Sequence, residues 1–239
     1  YYAWAQTIPT QLWPVLFDLP LQRYADYVAD AVPPYAVYNL LTVGLEVLHL
    51  FKGAIVLDLY SGICGWLMAF AYAPTHVHPR KWIAVDIDPQ RLTVCRQVGR
   101  ALGVDVEVVK RDLAAKWRPP RVDIVVGSPP CHEFTSAKKS APRLVEVGLL
   151  HVRRFMELAE EASPVFAMME EAASMADARA ALEGEVARMG WIYAWVKMVK
   201  WGAIQANRER LMAYRAFGEE APRRPRLFAN SLLQFLGKL

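Results

Sequence analysis

Cys131 follows two prolines in the segment Gly127-Ser128-Pro129-Pro130-Cys131-His132-Glu133-Phe134-Thr135-Ser136. The run before it, Val122-Asp123-Ile124-Val125-Val126, has the composition of a buried strand. The sequence therefore predicts a thiol delivered at a strand's C-terminal end by a stiff turn. Each proline holds φ at about −65° and lacks an N–H donor, so the loop cannot drift into a helix. That rigidity suits a thiolate that must meet one carbon of a planar ring at bonding distance. A tight turn leading into a buried structural cysteine is the plainer alternative.

Other candidate groups fall at the ends of further predicted strands. Residues 54–59 form an apolar run that enters Tyr60-Ser61-Gly62-Ile63-Cys64-Gly65, and an apolar, helix-like stretch follows over 66–72. Strand, glycine turn and helix form the layout in which backbone approaches a ligand near a helix N-terminus. Neither G-x-G-x-x-G nor a phosphate-loop Lys-Ser/Thr occurs, which disfavours NAD and nucleoside triphosphates. The strand over 82–85 ends in Asp86-Ile87-Asp88, about 20 residues past the glycines, where a carboxylate suits a ribose diol. A third strand, 104–109, ends in Lys110-Arg111-Asp112-Leu113. Each acid taken singly is a solvated loop residue or helix cap; three successive strand ends point to one ligand crevice.

These segments resemble the cytosine-C5 methyltransferases, which use S-adenosylmethionine (SAM). Asp58-Leu59-Tyr60-Ser61-Gly62-x-x-Gly65 is similar to that family's D-L-F-S-G-x-G-G, with Tyr60 for Phe and Cys64 for a glycine. Ser128-Pro129-Pro130-Cys131-x-x-Phe134-Thr135 resembles its catalytic P-P-C-Q-x-F-S, with His132 for Gln. The strand after Pro164 ends in Glu170-Glu171-Ala172, similar to E-N-V with Glu171 for Asn. Gln205-Ala206-Asn207-Arg208-Glu209-Arg210 resembles Q-x-R-x-R with one extra residue, and Asn230-Ser231 resembles the closing Gly-Asn motif. The four motifs through Arg210 keep the family's order, and the resemblance covers roughly residues 53–217. The resemblance implies a Rossmann-like α/β fold, with a mostly parallel sheet and helices on both faces. It implies SAM as cofactor, with Asp58, Tyr60, Ser61, Gly62 and Gly65 beside the methionine part and Asp86-Ile87 at the ribose. Asp112-Leu113 would lie at the adenine, with Ser128, Pro129 and Asn230 completing the site.

The chemistry follows from those residue types. Cytosine C5 is a poor nucleophile; addition of the Cys131 thiolate to C6 breaks aromaticity and gives C5 enamine character. Charge then builds on the ring. Glu170, if its pKa is raised, can protonate or hydrogen-bond N3, and Arg210, supported by Arg208, can polarise O2. Without the motifs, Glu170-Glu171 reads as a charged strand end, and Arg208 with Arg210 as a solvated strand face.

The elements that must position these groups alternate along the chain. Helices are expected over 62–72, 89–102, 143–161 and 176–189, with strands between them and further strands over 191–199 and 210–214. Residues 1–52 are expected to form a helical extension ahead of a catalytic domain over 53–239. Leu21, Tyr24, Ala25, Val28, Ala29 and Val32 give a helical stripe stopped by Pro33-Pro34. Residues 37–51 read as one buried helix, with Tyr38, Leu41, Leu45 and Leu48 in register, too short and too polar to span a bilayer. The 239 residues, 54% of them hydrophobic, suffice for a full core.

No stretch reads as a signal peptide. Cys64, Cys95 and Cys131 show no paired-ligand spacing, so neither a metal site nor a disulfide is expected, and a reducing cytoplasm follows. Only three asparagines, 39, 207 and 230, hint at a thermophilic source.

A net charge of +4 is modest, but the cations cluster. Lys138, Lys139 and Arg143 follow the cysteine, and Arg223, Arg224 and Arg226 lie near the end. Both sets read as phosphate contacts to a polynucleotide, DNA favoured and tRNA the alternative. About a dozen residues separate Phe217 from Asn230, too few for a recognition domain that reads base edges. A partner subunit, or residues 1–52, would then supply target choice. Two other readings stay open: a degenerate SAM-fold subunit that binds nucleic acid or an active partner, and a methyltransferase acting on an exocyclic amine. The second would want an aromatic residue at position 131.

Overall fold

The computed structural model describes residues 7–17, 21–132, 134, 142–173, 176–201 and 209–217. Three helices open it: α1 (Trp13–Phe17), α2 (Leu21–Asp30) and α3 (Pro34–Asn39). Alternation follows: β1 (Ile55–Leu59), α4 (Gly65–Met68), β2 (Lys81–Asp86), α5 (Pro89–Leu102), β3 (Asp105–Lys110) and β4 (Ile124–Gly127). Then come α6 (Pro142–Ala162), β5 (Phe166–Glu171), α7 (Ala176–Arg188), β6 (Ile192–Lys197) and β7 (Glu209–Ala216). The seven strands order as β3-β2-β1-β4-β5-β7-β6. Pairing is parallel from β3 through β5, while β7 runs antiparallel to both β5 and β6.

The strand sequences explain the layers. β4 and β5 are buried at every residue, and β1 at all but its first, because helices cover both faces of the sheet's centre. Edge strand β3 instead has no fully buried residue, mixing exposed and half-buried positions. One apolar cluster joins α5 and the N-terminal region (Leu12, Val28, Leu41, Phe51) to one face through Val56, Ile124 and Met168. The other joins α6 and α7 (Val152, Phe155, Leu182) to the opposite face through Leu57, Val125 and Met169. Residues 1–52, expected as a helical extension, thus contribute described residues to the same core as the sheet.

Two expectations are corrected. The helix expected over 37–51 is broken: α3 gives way to a π-helical turn over Leu40–Gly44 and a 3-10 turn over Leu48–Phe51. A Cβ on Gly44 would sit 2.7 Å from the Trp201 ring, and Glu46 takes φ 54°, so tertiary packing overrides the helical register. Cys64 and Cys95, expected unpaired, are joined by a disulfide with Cα atoms 5.3 Å apart. The turn after β1 and helix α5 meet over the sheet edge, a proximity that spacing along the chain cannot show.

Among the described residues, no helix is long and apolar enough to cross a membrane, and no cluster of three His, Cys, Asp or Glu could hold a metal.

Candidate active site

A cavity of about 840 Å³ opens at the C-terminal ends of β1, β2, β4 and β5, the crevice where open α/β sheets place their ligands. The turn after β1 forms its floor. Tyr60, Gly62 and Cys64 adopt φ 56°, 53° and 63°. The left-handed region is costly for Tyr60 and Cys64, so surrounding contacts must hold the turn. Ser61 N donates to Val85 O at 3.0 Å, and Gly62 N to Asp86 Oδ2 at 2.9 Å. Asp86 Oδ1 accepts from Asp88 N at 2.9 Å, so this carboxylate organises two loops while lining the cavity. Ile87, Asp112 and Leu113 line the same end, as do Tyr60, Ser61, Gly62 and Gly65.

Asp58 is the exception among the expected contacts. It is fully buried beneath the turn, accepts from Trp82 Nε1 at 3.0 Å and does not line the cavity. Burial, joined by the nearby Asp86 charge and opposed by the Trp82 bond, raises its pKa well above the carboxylate range. It supports the turn as a buried acid.

The opposite end holds the nucleophile candidate. Ser128, Pro129, Pro130 and Cys131 line the cavity, and Trp66 Nε1 donates to Ser128 Oγ at 3.1 Å, tying the Pro-Pro loop to α4. Phe134 N donates to Cys131 O at 3.0 Å, and its fully buried ring fills the space over Gly148, where a Cβ would come within 2.5 Å. The cysteine is thus mounted between two anchors. Glu170, at the end of β5, lines the cavity and pairs with Arg210 Nε of β7 at 2.7 Å. Arg210 also donates to Glu209 O at 2.8 Å. Cys131, Glu170 and Arg210 therefore line one cavity. Arg208, Asn230, Lys138, Lys139, Arg223, Arg224 and Arg226 lie outside the described residues, as does Gln205. Arg143 belongs to α6, but its side chain is not described.

Burial and then the charges of Glu171 and Glu170 push the Cys131 thiol up to about 12, with Arg210 opposing. A group raised this far stays a thiol at neutral pH and ionises progressively as pH climbs. Alkylation of Cys131 by iodoacetamide in the ligand-free protein should therefore be slow at pH 7 and rise about tenfold per pH unit through pH 9. Glu171→Gln, which deletes one negative neighbour, should speed alkylation at fixed pH. A plateau below pH 9 would contradict this reading.

Sequence reasoning missed the contribution of α2 and the residues just after it. Tyr27, Asp30 and Val32 line the cavity beside the glycine turn. Tyr27 Oη donates to Asp88 Oδ2 at 2.5 Å, and Arg91 pairs with Asp30 at 3.0 Å while lying over the Tyr27 ring. A Cβ on Gly65 would meet Val32 O at 2.8 Å, so this glycine is required for the close approach. No motif marks these residues; the only signal was the stripe through Tyr24, Val28 and Val32, whose polar flank carries Asp30. His151, Arg179 and Glu209 also line the cavity and were not anticipated.

No family model and no curated protein matches the chain. Solved structures do match its fold. A Listeria monocytogenes protein assigned to the class I S-adenosylmethionine-dependent methyltransferases superposes with TM-score 0.57 at 11% identity, over 94% of this chain and 75% of that one. NSun6 from Pyrococcus horikoshii, solved with SFG, gives 0.55 at 14% identity over 78% and 52%. A second P. horikoshii protein, assigned as an RNA methyltransferase, gives 0.51 at 18% over 79% and 86%. The chain spans about half the length of the NSun6 structure. Its fold is that of the Rossmann-like class I methyltransferases.

Proposed function

We propose that this protein transfers a methyl group from SAM to C5 of cytosine in a polynucleotide, DNA favoured, through a covalent bond between Cys131 and C6. One observation carries the reading: a single cavity joins a nucleoside-like end, with Asp86 and Asp112, to a reactive end with Cys131, Glu170 and Arg210. The residues present fit SAM. Asp86 keeps acceptor capacity for ribose hydroxyls beyond its two backbone bonds, Asp112 suits an exocyclic amine, and Ile87 offers an apolar surface that is 61% exposed. The opposite charges of Asp30 and Arg91 suit the ammonium and carboxylate of an amino acid. When bound, SAM supplies the methyl electrophile.

Glu170 and Arg210, paired at 2.7 Å, can together address the neighbouring acceptors N3 and O2 of one cytosine. As the Cys131 sulfur bonds to C6, its proton passes to the Glu170 carboxylate and on to N3, while Arg210 polarises O2, so the electrons displaced from the C5–C6 double bond are accommodated on the ring. That stabilisation is needed because the resting site, partly buried and near the negative charges of Glu171 and Glu170, opposes the thiolate. After methylation, a base removes the C5 proton and the electrons of that bond expel Cys131 from C6, which restores both the ring and the enzyme. The neighbour assigned as an RNA methyltransferase supports RNA as the second reading, with tRNA the form the sequence resemblance suggests. Incubation with SAM carrying a tritiated methyl, separately with DNA and tRNA, followed by nucleoside analysis, decides the matter. Label in 5-methyl-deoxycytidine is expected; label in 5-methylcytidine moves the substrate to RNA, and label in neither nucleoside defeats the proposal.

A further inference from the structure

At the reactive end of the cavity, Arg179 of α7 is held as a fixed plane. Its Cζ lies 3.9 Å from the centroid of the Trp195 ring on β6, the spacing of a stacked guanidinium. Its Nη2 pairs with Glu209 at 2.9 Å. Trp195 is itself oriented, because its Nε1 donates to Glu183, one turn beyond Arg179 on α7. Helix α7 therefore grips one indole twice, by its N–H through Glu183 and across its face through Arg179. Arg179 lines the cavity and Trp195 does not, so the guanidinium packs on the ring and still reaches the cavity. The next residue after Glu209 is Arg210, which holds Glu170. A two-residue stretch of β7 thus fixes both the plane and the groups proposed to meet a base edge.

We propose that Arg179 is a stacking platform for a nucleobase entering this cavity, an inference that rests on the polynucleotide part of the function proposed above. A base whose edge meets Glu170 and Arg210 still needs a partner for its ring face once it leaves its neighbours. Guanidinium planes supply such partners to unstacked bases. Pre-orientation by Trp195 and Glu209 means that little side-chain freedom is lost on binding. An ion pair serving only as a solvated surface contact would require neither the ring behind it nor the cavity in front.

The test compares wild type with Arg179→Lys, which keeps the charge and loses the plane. Fluorescence anisotropy is read with two probes, single-stranded oligo-deoxycytidylate and a base-free abasic strand of the same length. The variant is expected to bind oligo-deoxycytidylate about tenfold more weakly and the abasic strand as wild type does. Melting temperature and calorimetric SAM affinity should not change. Equal weakening on both strands would make Arg179 a phosphate contact, and no weakening on either would make it a surface ion pair; each overturns the platform. If Arg179→Lys does not fold, Arg179→Ala gives the same base-against-abasic comparison. Loss of methyl transfer by wild type, with base-selective binding intact, would defeat the proposed reaction and leave the platform standing. Normal transfer with an inert Arg179→Lys would do the reverse.

Discussion

Cys131→Ala should abolish methyl transfer, by about four orders of magnitude or more, while leaving SAM affinity unchanged. The magnitude follows from the role: removal of a covalent nucleophile leaves only binding and electrostatic help. SAM affinity should persist because the nucleoside end of the cavity, built on Asp86 and Asp112, involves no contact from the thiol. A sharper measurement traps the intermediate. With 5-fluorocytosine in the polynucleotide, the fluorine on C5 cannot leave as a proton does, so the Cys131–C6 bond persists after methylation. Wild type should then migrate with the polynucleotide under denaturing conditions, only when SAM is present, and Cys131→Ser should not. Glu170→Gln should also lose trapping, since charge on N3 would go unanswered while Arg210 retained its place. Methylation by Cys131→Ala at the wild-type rate would exclude the covalent route and return Cys131 to the structural role its burial also fits.

The cavity-lining groups at strand ends were legible because local pattern alone places them there. The apolar runs at β1, β2 and β4 each terminate within three residues of Gly62, Asp86 or Ser128, and a parallel sheet necessarily brings such ends to one edge. The glycine turn was legible in place but not in conformation. Tyr60 and Cys64 occupy left-handed φ values that neither residue type advertises. The region before β1 was least legible, because its helices are shaped by distant partners: Gly44 yields to Trp201, and Asn39 Nδ2 donates to the Trp201 carbonyl at 2.7 Å. The same reason hid Tyr27 and Asp30, whose contacts reach Asp88 and Arg91 some sixty residues away. Arg179 and Trp195 stayed unread because a stacked pair between a helix and a strand leaves no spacing signature.

Reduction of the Cys64–Cys95 disulfide should lower the melting temperature by about 10 °C. The two cysteines are 31 residues apart in sequence, and closing a loop of that length in the unfolded chain is worth about 3–4 kcal/mol. A protein of this size loses about 2–4 °C per kcal/mol. Both cysteines are fully buried, so the reductant must act during transient opening and the effect should appear slowly. The bond also secures the turn. Cys64 stands where the resembling family has glycine, and its φ of 63° strains a residue with a Cβ. Anchorage to α5 holds that strained residue beside Gly62, whose N–H is committed to Asp86. The two single variants should therefore differ. Cys95→Ala loses the link and keeps the strain, whereas Cys64→Gly loses the link and relieves the strain, recovering about 1 kcal/mol. Cys95→Ala should melt lower than Cys64→Gly, and SAM should bind it more weakly because the turn is no longer held. Equal melting of oxidised wild type and both variants would show that the thiols pack without a bond that matters, and Cys64 would then be only a strained substitute for glycine.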